Sequence, residues 1–326
     1  MRAFSYVRAA SAAEAVSQYR PGAAYLGGGT NLVDLMRLGV AAPDRVIDVT
    51  RATGDAITEG GAGELRIGAG VRNSDLANHP IVRERYPLLA RAVLGGASGQ
   101  IRNIATVAGN LLQRTRCPYF QDVAMPCNKR VPGSGCQATA PGAETGNMAI
   151  LGHTPFCVAT HPSDMAVALT ALGAHVHVTG PDGGRVIAMP GLHRLPDGMP
   201  ERDTVLNPGE LITEVELPPP PPGRSAYRKV RERASFAFAL VSLAAVLDTG
   251  PDGLVRDCRL ALGGVAHAPW RAQAAERGTL GLPATPETFA RAAGEELRHA
   301  RPLPGNEYKV TLARNLIVAV LGELAP

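Results

Sequence analysis

Four of the five cysteines in this 326-residue chain fall inside one stretch, Thr106 to Cys157. Cys117, Cys127, Cys136 and Cys157 are separated by nine, eight and twenty residues. Between them lie Pro118, Pro126, Pro132, Gly133, Gly135, Pro141 and Gly142, which punctuate turns rather than sustain helix or strand. A polar loop of that length has little apolar surface with which to hold itself together, so something else must fix it. Four thiolates converging on a metal centre would do so. Spacing alone leaves several readings open. Disulfides fit poorly with an otherwise cysteine-poor chain that shows no secretion signal. Structural zinc sites bring their ligands in close C-x2-C pairs, and no two of these cysteines are that near. An iron–sulfur cluster needs four thiolates and tolerates irregular spacing where a loop wraps it. The remaining reading is four small buried hydrophobes, the commonest fate of a free cysteine. Cys258, in LVRDCRLALGG, alternates like a strand residue and reads as buried and inert.

The length allows two or three domains and a sizeable core. Aromatics make up only 4% of the chain, so alanine, glycine and valine must fill much of the interior. The net charge of +4 is spread along the chain, with no basic cluster interleaved with aromatics, which argues against a nucleic-acid partner. No apolar run is long enough to cross a bilayer. The N-terminal MRAFSYVRAASAAEAV lacks the uninterrupted apolar core of a signal peptide. The expectation is folding in the cytoplasm, with any passage to the periplasm depending on a partner's signal.

Along the chain, Ser11 with Glu14 three residues on predicts a capped helix over 11–19. Ala23–Leu26 then reads as a strand, Gly27-Gly28-Gly29 as a sharp turn, Asn31–Leu38 as a helix and DRVIDV as a strand. That order lets backbone N–H groups meet a phosphate, and glycines there permit positive φ and close approach of a ligand. The spacing is not G-x-G-x-x-G, so a plain glycine-rich turn is equally open. ELRIGAGV predicts a strand, and the stretch from Asn73 a helix with turns, capped by Asn73-Ser74-Asp75. In a second glycine element, IRNIATVAGNLL, Thr106, Gly109 and Asn110 either line a ligand or form a turn. Ser163 caps a helix over Asp164–Leu172, where Asp164 either complements the helix dipole or binds a ribose hydroxyl. His175 and His177 share a strand face and, with no third ligand nearby, read as surface residues. Pro218–Pro222 is a stiff spacer that divides the chain. Beyond it Lys229, Arg231 and Arg233 alternate, forming a solvated face or a site for an anion. Strand and turn follow, then two helices in PETFARAAGEELRHA and NEYKVTLARNLIVAVLGELA.

The order of these elements resembles the FAD-binding subunit of the molybdenum hydroxylases, the xanthine dehydrogenase and carbon monoxide dehydrogenase family. The resemblance covers essentially the whole chain. It is carried by Tyr25-Leu26-Gly27-Gly28-Gly29-Thr30-Asn31-Leu32, by Thr106-Val107-Ala108-Gly109-Asn110-Leu111, by Ser163-Asp164 opening a helix, and by Tyr227-Arg228-Lys229-Val230 after the prolines. Three further runs are similar to a subgroup, the flavin subunits of bacterial periplasmic aldehyde oxidoreductases, which carry an extra [4Fe-4S] cluster. These are Arg114 to Phe120, Pro126 to Arg130 and Gly133 to Cys136.

The resemblance implies an α+β fold. A vanillyl-alcohol-oxidase-type FAD-binding unit over 1–217 has two subdomains, about 1–53 and 54–217, the second carrying a cluster loop at about 114–157. A proline linker at 218–223 and a C-terminal α+β flavoprotein domain over 224–326 complete it. FAD is expected on Leu26, Gly27, Gly28, Gly29, Thr30, Asn31, Leu32, Thr106, Gly109, Asn110, Asp164 and Lys229. Asp164 is assigned the ribose hydroxyls, and Lys229 a positive charge near the flavin. The [4Fe-4S] cluster is expected on Cys117, Cys127, Cys136 and Cys157. The implied function is electron transfer within a molybdenum-dependent aldehyde oxidoreductase. The implied partners are a large molybdenum-cofactor subunit, a small subunit with two [2Fe-2S] clusters, and an external electron acceptor. No acid–base constellation stands out for the hydroxylation itself. The alternatives are a stand-alone FAD oxidoreductase and a zinc-binding assembly module.

Overall fold

The computed structural model describes residues 1–326. The first unit runs β1 (Ser5–Arg8), α1 (Ala12–Gln18), β2 (Ala23–Leu26), α2 (Leu32–Arg37) and β3 (Arg45–Asp48). Its three strands form a parallel sheet in the order β1-β3-β2. Parallel pairing needs crossovers, and the two short helices supply them. Ser11 caps α1 as expected, its Oγ accepting from Glu14 N at 3.1 Å, while the Glu14 carboxylate accepts from Ala10 N at 2.8 Å.

The second unit opens with β4 (Ile57–Glu59) and β5 (Leu65–Gly68) and continues through six helices. These are α3 (Asn73–Asn78), α4 (Pro80–Arg85), α5 (Pro87–Gly95), α6 (Gly99–Arg102), α7 (Val107–Leu111) and α8 (Pro118–Gln121). After the cysteine loop come α9 (Asp164–Leu172), β6 (His175–Gly180), β7 (Gly183–Ala188) and β8 (Leu211–Leu217). The five strands form one antiparallel sheet, β4-β5-β8-β6-β7. The helix expected from Asn73 onward is three helices. Pro80 and Pro87 lack an N–H and clash with a preceding turn, so each ends one helix and opens the next at its first position. The expected cap is also displaced: Arg72 occupies the N-cap position without a side-chain bond, and Asn73, Ser74 and Asp75 lie inside the first turn.

Residues 218–223 form neither helix nor strand. The last unit is β9 (Arg224–Val230), β10 (Val241–Thr249), β11 (Val255–Gly263), β12 (Trp270–Arg271), α10 (Gln273–Thr279), α11 (Pro286–Leu297) and α12 (Tyr308–Leu324). Its antiparallel sheet is ordered β12-β11-β10-β9. Helix α10 was not foreseen, because QAAERGT is short and follows directly on a strand. No helix is long and apolar enough to cross a membrane.

Strand β10 shows how the units are joined. Val241, Leu243, Ala245 and Leu247 point into the core that α11 and α12 cover. Ala244 and Val246, on the opposite face, belong to the core of the second unit beside α5 and α9. Period-two alternation with both faces apolar is the pattern of a strand sandwiched between helical layers.

Candidate functional site

Two glycine-rich loops meet at the end of β2. Gly27, Gly28 and Gly29 turn the chain from β2 into α2, with Gly29 at φ +75°. A Cβ on Gly27 would lie 2.8 Å from Thr106 Oγ1, and one on Gly28 would overlap the Ile104 carbonyl. Only glycine lets the first loop rest on the second at this distance. Thr106 caps α7, its Oγ1 accepting from Gly109 N at 3.2 Å. Leu26 through Leu32 are all half-buried, and the backbone N–H groups of Gly28, Gly29, Thr30 and Asn31 find no acceptor in the protein. Four free donors on one turn suit phosphate oxygens. The Asn31 side chain accepts from Arg114 N at 2.9 Å, while its buried Nδ2 has no partner. Asn110 Oδ1 accepts from Ser163 Oγ at 2.6 Å, and Ser163 Oγ in turn accepts from Ala166 N as the cap of α9. The second loop, α9 and its first residue Asp164 are thereby fixed together.

Asp164 and Lys229, assigned separately to ribose and flavin, meet each other. Lys229 Nζ donates to Asp164 Oδ2 at 2.8 Å and to Gly95 O at 3.0 Å. Tyr227 OH donates to Asp164 Oδ1. Both charged side chains are buried. Burial and the adjoining carboxylate push the Tyr227 hydroxyl well above its usual range. The alternating basic row therefore divides. Lys229 is an internal ion-pair partner, Arg231 donates to Gly95 O beyond the end of β9, and Arg233 is exposed.

The four cysteines of the loop border one small, partly open cavity, lined also by Phe120, Ala138, Phe156 and Val158. Cys127 and Cys136 face each other in an antiparallel bridge. None of the four is paired in a disulfide, and no three of their sulfurs lie within 4.8 Å of one another. Tetrahedral zinc with Zn–S near 2.3 Å sets its ligand sulfurs about 3.8 Å apart. The sulfurs here are too far apart for a single such ion, whereas a multi-iron core requires wider separation. Burial pushes the Cys117 thiol up to about 12 and the Cys157 thiol to about 11, and Cys136 is raised for the same reason. Backbone amides oppose this, those of Tyr119 and Phe120 at Cys117, of Val158 and Ala138 at Cys136, and of Ala159 at Cys157. Amides aimed at sulfur, in a cavity that disfavours free thiolates, suit cysteines whose charge a metal core neutralises. Cys258 is separate, buried in β11 as expected.

The loop holds together better than its polarity suggested. Phe120 is fully buried against Leu35 and Cys127, and Ala138, Met148 and Val158 form a second small cluster. Asn128 ties three segments, accepting from Gly135 N at 2.8 Å and donating to Phe156 O at 3.0 Å. Lys129 lines the cavity and is buried, its Nζ donating to Pro200 O at 2.8 Å and to Asp203. Arg114 Nε reaches the other Asp203 oxygen at 2.6 Å. Burial alone would raise Asp203, but the two cations outweigh it and hold the carboxyl well below its usual range. His161, His193 and His267 surround this cluster, and burial keeps all three neutral near pH 7. Sequence reasoning missed Lys129 and Asp203. The lysine sits among the cysteines in a plain polar run, and its partner follows far downstream with no motif around it. His177, expected to lack further ligands, has Glu214 and Glu216 from β8 within reach, although Arg66 already pairs with both carboxylates.

Comparison with known proteins adds the following. The family model for the FAD binding domain in molybdopterin dehydrogenase matches residues 2–220, and that for the CO dehydrogenase flavoprotein C-terminal domain matches residues 225–324. The chain is 49% identical over 327 residues to the aldehyde oxidoreductase FAD-binding subunit PaoB of Escherichia coli (strain K12), covering 99% of this chain and 98% of that one. It is 28% identical over 285 residues to the glyceraldehyde dehydrogenase medium chain of Sulfolobus acidocaldarius, covering 85% and 81%. Among solved structures, carbon monoxide dehydrogenase from Hydrogenophaga pseudoflava superposes with a TM-score of 0.75 at 27% identity, covering 99% of this chain and 97% of that one. Reconstituted CO dehydrogenase from Oligotropha carboxidovorans gives 0.77 at 22%, covering 99% and 98%, a likeness of fold.

Proposed function

Because the chain belongs to the FAD-binding subunits of the molybdenum hydroxylases, a family of oxidoreductases, we propose that it is the electron-transfer subunit of a molybdenum-dependent aldehyde oxidoreductase, binding both FAD and a [4Fe-4S] cluster. In this reading a large partner carries the molybdenum cofactor and a small partner two [2Fe-2S] clusters. The chain takes electrons from the small partner and delivers them to an external acceptor such as a quinone, a ferredoxin or oxygen. Bound FAD supplies the exchange between one-electron and two-electron carriers.

The chain's residues then have these roles. Amides of Gly28, Gly29, Thr30 and Asn31 hold the pyrophosphate, with Leu26, Gly27 and Leu32 shaping the turn. Thr106, Gly109 and Asn110 form the facing loop. Asp164, whose oxygens already accept from Tyr227 and Lys229, offers its remaining lone pairs to ribose hydroxyls, and Lys229 lies beside the flavin as the ion-pair partner of that carboxylate. Cys117, Cys127, Cys136 and Cys157 ligate the cluster. The observation that carries the cluster is the single cavity bordered by four sulfurs too widely spaced for one zinc ion. Nothing in the chain offers hydroxylation chemistry, so turnover belongs to the assembly. The test is to assay aldehyde oxidation by the chain purified alone and by its complex. Turnover is expected only from the complex; an isolated chain that oxidises aldehydes by itself would overturn the proposal.

A further inference from the structure

The polar cluster behind the cysteine cavity has an uneven charge. Lys129 and Arg114 are both held by the single carboxylate of Asp203, leaving one positive charge in excess. The neighbouring histidines are kept neutral by burial and add no charge of their own. The other cations of the loop add to that excess and have no carboxylate bonded to them: Arg130 donates to the carbonyls of Tyr119, Phe120 and Met125, and Arg116 lies over the Phe238 ring at 5.2 Å. The Lys129 side chain is 1% exposed and lines the same cavity as the four sulfurs. A buried cation is screened little by solvent or salt, so its field acts on whatever fills that cavity.

We propose that Lys129, clamped by Asp203 and counterbalanced only in part, is the residue that sets how readily the cysteine-bound cluster accepts an electron. The inference rests on the cluster reading above. Four thiolates around a [4Fe-4S] core carry net negative charge, and one-electron reduction makes that charge more negative. A fixed cation at the cavity wall favours the reduced form, and Asp203 limits the effect. The potential of such centres follows net charge, hydrogen bonding and exposure.

The test is an anaerobic redox titration of the purified complex, followed by electron paramagnetic resonance of the reduced cluster. The variants are Lys129→Met, Lys129→Arg, Arg114→Gln and Asp203→Asn. Lys129→Met should lower the midpoint by the equivalent of about tenfold in the reduced-to-oxidised ratio, which is 59 mV for one electron. Arg114→Gln should lower it less, Lys129→Arg should leave it near wild type, and Asp203→Asn should raise it. Opposite signs for Lys129→Met and Asp203→Asn are what a purely structural role would not produce. Shifts of the same sign, no shift, or loss of iron from both Lys129 variants would overturn the proposal. Failure of the underlying reading is distinguishable, because the wild-type complex would then show no cluster signal at all.

Discussion

Gly28 lies where two loops touch, and the space for a side chain there is already taken by the Ile104 carbonyl. Gly28→Ala must push the loops apart, at a cost of about 1–3 kcal/mol of the kind seen in overpacked sites. Flavin content of the purified variant should fall and its melting temperature drop; an unchanged flavin-to-protein ratio would contradict the cradle. Ser163 also has two roles, capping α9 and donating to Asn110. Ser163→Ala is expected to cost about 1–2 kcal/mol in denaturant unfolding. Lys309 offers a pH test. It is fully buried, bonded to Met148 O at 3.0 Å and Gly264 O at 2.8 Å, and burial lowers it to about 7 from the ordinary 10.5. The unfolded chain then holds more protons than the native one between those values, so this group's contribution to stability rises with pH there. The slope is at most about 1.4 kcal/mol per pH unit. Below pH 7 the full penalty of charging the buried amine applies. Subtracting the stability curve of Lys309→Met from that of wild type between pH 7 and 8.5 isolates the slope; a flat difference would contradict it.

At the level of elements, the cysteine loop combines two small apolar clusters with four cysteines around one pocket, and the proposed cluster is tested there. Cys127→Ser should lose most of the iron and expose the loop to protease, since Cys127 both faces Cys136 and packs against Phe120. A variant that keeps its iron and its resistance would show the ligand set to be wrong. The elements legible in the sequence were those with local signals. Ser11 with Glu14, the Gly27–Gly29 turn and Ser163 before an apolar run each state their structure within a few residues. Pro80 and Pro87 were equally visible, yet the helix breaks they impose were underread. What sequence could not show is long-range. Lys129 finds Asp203 across a distance no periodicity measures, and Asp164 finds Lys229 only because β9 is laid against α5 while α9 packs on the neighbouring β10 and β11. The small apolar clusters of the cysteine loop were hidden for the same reason, because Leu35 and Phe120 come from separate segments.

Across the whole molecule, the domains are joined by the shared faces of β10 and by one buried ion pair, Lys229 with Asp164. Removing one partner strands the other charge, so Lys229→Met is expected to cost about 3–5 kcal/mol, and Asp164→Asn a comparable amount. The double variant should recover much of that loss in a double-mutant cycle monitored by denaturation. Additive losses would mean the two residues act separately. The central claim is that this chain houses an inorganic iron–sulfur core beside its flavin site. It is tested most directly by iron, acid-labile sulfide, zinc and flavin analysis of the full chain purified without oxygen. The account predicts iron and sulfide in equal amounts accompanying the flavin; flavin without iron, or zinc in place of iron, would contradict it.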